Sequence, residues 1–127
     1  MKYLFTNDKP IYLQLIEQLE FQIVSGRIPP GERLPSVRDF AAKTKVNPNT
    51  IQRALTTLEE HRLIYTESTN GRYITTDEKL IKKLRERFAE EKSRDFFHSM
   101  ADLGFTKPEA IEFIKQKGNL HGSKPTK

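Results

Sequence analysis

Residues 33–58, RLPSVRDFAAKTKVNPNTIQRALTTL, predict two short helices set end to end around a turn. Ser36 stands three residues before Asp39. That is the spacing of an N-cap whose hydroxyl accepts the Asp39 N–H while the carboxylate reaches back, so a first helix is expected to run to about Thr44. The second starts at once. Asn47 is a good cap, and Pro48 at the first helical position gives up only an N–H that would lack a partner there. Ile51, Leu55 and Leu58 then recur at i, i+4 and i+7 with Ala54 beside them, which defines one buried face. Such a pair of helices reads as a helix-turn-helix.

The opposite face of the second helix carries Asn49, Gln52, Arg53 and Thr56 at the same helical spacing. Asn and Gln can pair bidentately with adenine, Arg with guanine or phosphate, and the Thr methyl with a thymine methyl, which is the chemistry of a major-groove reader. Any amphipathic helix has a polar face, so the adjoining first helix and the local charge matter. Between Arg33 and Leu58 there are five basic residues (Arg33, Arg38, Lys43, Lys45, Arg53) and one acid, Asp39. This excess suits phosphate.

Composition narrows the classes. At 127 residues the chain has room for one ordinary domain or a small one with a short appendage, and none for a large ligand-binding domain. Hydrophobic content of 35% against 31% charged residues implies a modest core, with apolar surface left to bury between subunits. The absence of cysteine excludes a disulfide framework, a thiolate metal site and a thiol nucleophile. His61, His98 and His121 lack ligand spacing, so no metal and no cofactor is expected. No glycine-rich phosphate loop or nucleophile with a nearby base can be assembled, and no enzyme activity is expected. Without a membrane-length apolar run or a signal-peptide pattern, the protein is expected to be cytoplasmic. The net charge of +5 is spread along the chain, so the local basic cluster is the sharper pointer to nucleic acid.

Outward from the central stretch, a short apolar patch at Tyr3–Phe5 is expected to pack on the helix after it. From Pro10 to about Val24, Tyr12, Leu15, Ile16, Leu19 and Ile23 form one helical stripe, with Leu13, Phe21 and Val24 on a second side. Gly26 ends this helix, and residues 27–32, RIPPGE, form a rigid connector. Downstream, Leu63–Glu67 and Tyr73–Thr76 read as two short strands joined by Ser68-Thr69-Asn70-Gly71, a strong hairpin signal. This is the wing of a winged helix. Asp77 caps a further helix with Leu80, Ile81, Leu84 and Phe88 on one side. Its stripe lapses after Ala89 and resumes with Phe96, Phe97, Met100 and Leu103, which predicts a bend or two helices near Glu91–Arg94. Thr106-Lys107-Pro108-Glu109 is a capping box opening a last helix to about Lys117. It bears Ala110, Ile111 and Ile114 on one face and Phe113 beside it. Residues 118–127 are expected to be a disordered tail.

Pro10-Ile11-Tyr12, Gly26, Pro29-Pro30-Gly31, Arg33-Leu34-Pro35-Ser36, Arg38, Val46-Asn47, Asn49-Thr50 and Arg53-Ala54, in this order and spacing, resemble the N-terminal domain of the GntR family of bacterial transcription regulators. The resemblance covers roughly the first 76 residues. It implies a winged helix-turn-helix domain over 1–76, in which Arg33 and Arg38 hold phosphates or reach a base edge. Asn47, Asn49, Thr50, Gln52 and Arg53 would cover the groove, Asn47 and Thr50 having local roles at the helix start as well, and Ser36 serving more as a cap. By the same resemblance the wing tip approaches the minor groove or its phosphates through Gly71 and Arg72. Three residues depart from the family pattern: Lys45 and Arg62 stand where glycine is usual, and Thr69 replaces the first of two wing glycines.

The expected fold is thus mainly α with a small β-hairpin, a winged helix-turn-helix followed by a helical dimerisation region over 77–117. Those roughly forty residues cannot make an independent core and need a partner surface. A second copy of the segment is the expected partner, through Ile81, Leu84, Phe88, Phe96, Phe97, Met100, Ile111 and Ile114. A twofold pairing would also set two reading helices about 34 Å apart, one turn of DNA. The short helical C-terminal region is similar to that of the YtrA subfamily of the same family, typically homodimeric repressors. The expectation is a homodimer on double-stranded operator DNA, with no small-molecule effector assignable. Two alternatives stand: a monomer whose helices fold back on the winged helix, and a winged helix used as a protein-interaction module.

Overall fold

The computed structural model describes residues 3–120. In chain order they form α1 (Ile11–Val24), α2 (Val37–Thr44), α3 (Pro48–Glu60), β1 (Ile64–Glu67), β2 (Gly71–Ile74), α4 (Glu78–Asp102) and α5 (Lys107–Leu120). The chain divides into two compact units after Glu86.

The core of the first unit is assembled on α3. Leu15, Leu19 and Ile23 of α1 meet Ile51, Leu55 and Leu58 of α3, and all six are almost entirely removed from solvent. At about 1.5–3 kcal/mol for each large aliphatic side chain, this seam is the main stabilising contact of the unit. Phe40 and Ala41 bury the inner face of α2, and Leu63, Ile64 and Ile74 bring in the hairpin. The N-terminal arm is fastened to α1 by Gln14, a buried amide whose Oε1 accepts the Thr6 N–H at 2.8 Å while its Nε2 donates to the Thr6 and Lys9 carbonyls. Tyr3 then lies against Phe40 of α2 and donates its hydroxyl to Gln22, so the expected packing of the arm includes α2 as well.

The hairpin pairs Ile64 with Ile74, Tyr65 with Tyr73, Thr66 with Arg72 and Glu67 with Gly71. β2 therefore starts at Gly71, two residues before the expected strand, and the turn is Ser68-Thr69-Asn70 with Ser68 at φ 41. The connector also runs along β2: the Gly31 N–H donates to Ile74 O, the Ile74 N–H to Glu32 O and the Leu34 N–H to Arg72 O. Residues 31–34 thus add a short third edge, which the prolines before them disguise as a plain connector.

Four expectations about the C-terminal region are corrected. The helix over 78–102 is continuous through Glu91–Arg94, because Ala, Glu, Lys and Arg sustain a helix without an apolar stripe and Glu90 and Arg94 stand at supportive i, i+4 spacing. Ile81 and Leu84, expected to face a second subunit, are buried within this chain. Ile81 shares a groove with Ile23, Gly26 and Pro30, and the Arg85 Nε–H donates to Val24 O at 2.9 Å, which ties this part of α4 to the end of α1. The division of the chain accordingly falls after Glu86 and not at residue 76. Finally α5 continues to Leu120, so residues 118–120 are helical, and the rest of the expected tail, 121–127, lies outside the described residues.

The second unit begins at Arg87. Gly104, at φ 96, turns the chain, and both halves of the capping box are made: Glu109 N–H to Thr106 Oγ1 and Thr106 N–H to Glu109 Oε1. Among the described residues of this unit only Ala110 is buried.

Candidate nucleic-acid interface

The helix-turn-helix is fixed by its caps. Ser36 Oγ accepts the Asp39 N–H at 3.1 Å, and Asn47 Oδ1 accepts the Asn49 N–H at 2.8 Å, so both side chains serve the backbone first. Between the helices Lys45 takes a left-handed conformation, φ 60 and ψ 33, and its N–H closes α2 on Ala41 O. The turn therefore keeps the geometry for which glycine is usual, with a lysine in it.

Burial of Ile51, Ala54, Leu55 and Leu58 turns Asn49, Gln52, Arg53 and Thr56 outward together, and all four are exposed; Thr50 is half-buried at the start of the helix. Arg38, Lys43 and Lys45 stand exposed on and after α2. Gln52 Nε2 donates to Thr56 Oγ1 at 3.1 Å, one turn on. This leaves the Gln52 carbonyl and its second N–H for the two bonds adenine offers in the major groove.

Two arginines are held in ways the sequence does not show. The guanidinium of Arg53 lies over the ring of Tyr12 at 3.7 Å from its centroid, and Nη2 donates to the Tyr12 hydroxyl at 3.1 Å. Helical spacing places Tyr12 only as one member of the α1 stripe. The signal for its second role is faint, an aromatic residue in the first turn of a helix 41 positions before the arginine it meets. Arg72 faces inward, with Nε buried and 3.5 Å from Glu59 Oε1 at the end of α3, and Glu59 also accepts the Thr66 hydroxyl. The cation beside the wing glycine is Arg33. Its backbone bridges Tyr73, and its Nε would lie 3.1 Å from a Cβ placed on Gly71, which at φ 105 is itself a glycine conformation. Arg33 and Gly71 are thus brought together, while Arg72 is drawn onto α3.

Among the described residues no cluster of His, Asp or Glu is arranged to hold a metal ion, and no helix is long and apolar enough to cross a membrane. The geometry is that of a reading helix with a basic flank and a wing. The sequence pattern of the "bacterial regulatory proteins, gntR family" matches residues 11–74, from the first residue of α1 to the last of β2. The chain belongs to the gntR family. It is a sequence-specific DNA-binding transcription regulator with the winged helix of that family. The chain is similar to the uncharacterized HTH-type transcriptional regulator YhcF of Bacillus subtilis, 39% identical over 111 residues that span 87% of this chain and 92% of YhcF. It is 40% identical to the HTH-type transcriptional repressor YtrA of the same organism over 70 residues, 55% of this chain and 54% of YtrA. A solved GntR family transcriptional regulator from Listeria monocytogenes superposes with a TM-score of 0.77 at 39% identity, over 88% of this chain and 98% of the other.

Proposed function

We propose that this gntR-family regulator is a cytoplasmic homodimeric repressor that binds a pseudo-palindromic operator. The observation that carries the reading is the outward face of α3, four exposed hydrogen-bonding side chains at helical spacing, beside exposed Arg38, Lys43 and Lys45. Arg38 and Arg33 act on phosphates, with Gly71 giving the backbone beside Arg33 close access at the wing. Asn49 and Gln52 read base edges, and Asn47 and Thr50 hold the helix start at the groove. The repressor role is supported by the likeness to a relative named as a repressor, YtrA. Dimer formation is supported by the second unit, whose Phe88, Phe96, Phe97 and Met100 are half-buried and whose Ile111 and Ile114 are exposed.

Fluorescence anisotropy on duplexes selected from a random pool, at several salt concentrations, tests this. A preferred duplex with a slope of log K on log salt of about −4 or steeper is expected. Arg38→Ala should weaken every duplex alike, whereas Gln52→Ala should relax preference at one base pair by about 1–3 kcal/mol. Binding without preference, unchanged in Arg38→Ala, would overturn the operator reading in favour of a protein-interaction module.

A further inference from the structure

The geometry points to Tyr12 as a positioning residue for DNA binding: it holds the Arg53 guanidinium off the reading line of α3, as a clamp for a backbone phosphate. This rests on the DNA-binding reading above and assigns a part of the recognition apparatus to α1. The Tyr12 ring covers one face of the guanidinium, with 3.7 Å between its carbon and the ring centroid, and the hydroxyl accepts one Nη2 N–H at 3.1 Å. Stack and hydrogen bond together fix both the plane and the rotation of a side chain that is otherwise free on an exposed surface.

Their direction matters as much as their strength. Arg53 leaves α3 beside Asn49 and Thr56, but its charged end is drawn sideways onto α1, away from the groove floor that Asn49 and Gln52 would face. A guanidinium at the flank of a reading helix meets the sugar-phosphate wall, where it neutralises charge and fixes register without choosing a base. Among the described residues no carboxylate pairs with Arg53, in contrast to Arg72 on Glu59. With one Nη2 hydrogen on Tyr12, Arg53 still has four N–H groups and its full charge for a phosphate.

A double-mutant cycle decides it, read by anisotropy on the full chain with the selected duplex and with an arbitrary duplex at low salt. Tyr12→Ala is expected to weaken binding about fivefold on all base-pair variants and to make the salt slope shallower by about one, as Arg53→Ala does. The double variant should bind no more weakly than Arg53→Ala alone. Tyr12→Phe, which keeps the stack and loses the hydroxyl, should fall between, and Arg53→Lys, which keeps the charge but loses the planar stack, should bind more weakly than wild type while retaining more of the salt slope than Arg53→Ala. Losses that multiply in the double variant, a Tyr12→Ala defect confined to one base pair, or an unaltered salt slope would each overturn the proposal. If circular dichroism shows Tyr12→Ala unfolded, the cycle of Tyr12→Phe with Arg53→Ala applies the same test to a folded protein. A wild type that binds all duplexes alike would sink the operator reading, and the cycle on the arbitrary duplex would then decide the phosphate clamp by itself.

Discussion

Arg62 closes α3 in a left-handed conformation, φ 65, and the Leu63 N–H reaches back to Leu58 O at 3.0 Å. This six-to-one bond between two buried leucines is the Schellman ending, whose turning residue is ordinarily glycine. An L-residue held there costs about 1–2 kcal/mol, against about 0.5–1 kcal/mol of extra chain entropy that a glycine would lose on folding. Arg62→Gly should therefore raise unfolding free energy by about 0.5–1 kcal/mol in urea titration, and a fall would mean that the arginine side chain makes up the cost elsewhere. Of the three departures from the family's glycines, all visible in the sequence, Lys45 and Arg62 keep a positive φ. What no residue type can reveal is that the backbone holds its shape and the side chains accept the strain. Tyr3 makes a second case. Burial pushes its phenol up to about 12, against a smaller opposing effect of the hydrogen bond to Gln22. The folded state thus keeps a proton that the unfolded chain releases near pH 10, so the stability from this residue holds below pH 10 and is lost as pH rises toward 12. Tyr3→Phe should flatten that decline in urea titrations across the range; parallel curves for the two proteins would refute the assignment.

Among the elements, the wing shows how a two-residue period divides labour. Tyr65 and Tyr73 form a stacked pair, ring centroids 5.8 Å apart, at one step of the ladder. At the next step Thr66 and Arg72 turn to the other face and meet Glu59 of α3, so one carboxylate docks both strands of the hairpin on the reading helix. The Arg72 and Glu59 side chains are 22% and 29% exposed, so water screens the pair only in part. Glu59→Ala should lower stability by about 1–2 kcal/mol and speed amide exchange along β2. Unchanged exchange would mean that the wing is held by Ile64 and Ile74 alone. The helices were legible from their caps and periodicity, since Ser36, Asn47, Asp77 and Thr106 each take a hydrogen bond from the first turn of the helix that follows. The third edge at 31–34 was not, because a Pro-Pro-Gly run signals a turn, while an edge needs only the few bonds that Gly31, Glu32 and Leu34 make. The pairing of Tyr12 with Arg53 depends on how α1 crosses α3, which helical spacing within either element cannot express.

At the scale of the molecule, the same kind of apolar spacing in α4 and α5 serves two ends. Ile81 and Leu84, 4% and 7% exposed, belong to the core of the first unit, whereas the second unit leaves Leu103 74%, Ile111 45% and Ile114 49% exposed. A sequence stripe shows that a face will be buried and is silent about what buries it, so by spacing alone Ile81 and Leu84 cannot be told from interface residues. The two sets should separate by experiment. Ile81→Ala removes core volume and should cost about 2–4 kcal/mol of unfolding free energy while the protein that remains folded keeps its mass by light scattering. Ile114→Asp adds a charge to an already exposed position, so a lone chain would tolerate it with little loss. If instead Ile114 lies between two copies, the buried carboxylate opposes pairing: mass should halve at micromolar concentration and operator affinity should drop more than tenfold as two linked half-sites become one. Retention of a dimer in Ile114→Asp, with Ile81→Ala monomeric, would move the interface back onto the first turns of α4 and require the first unit to open there.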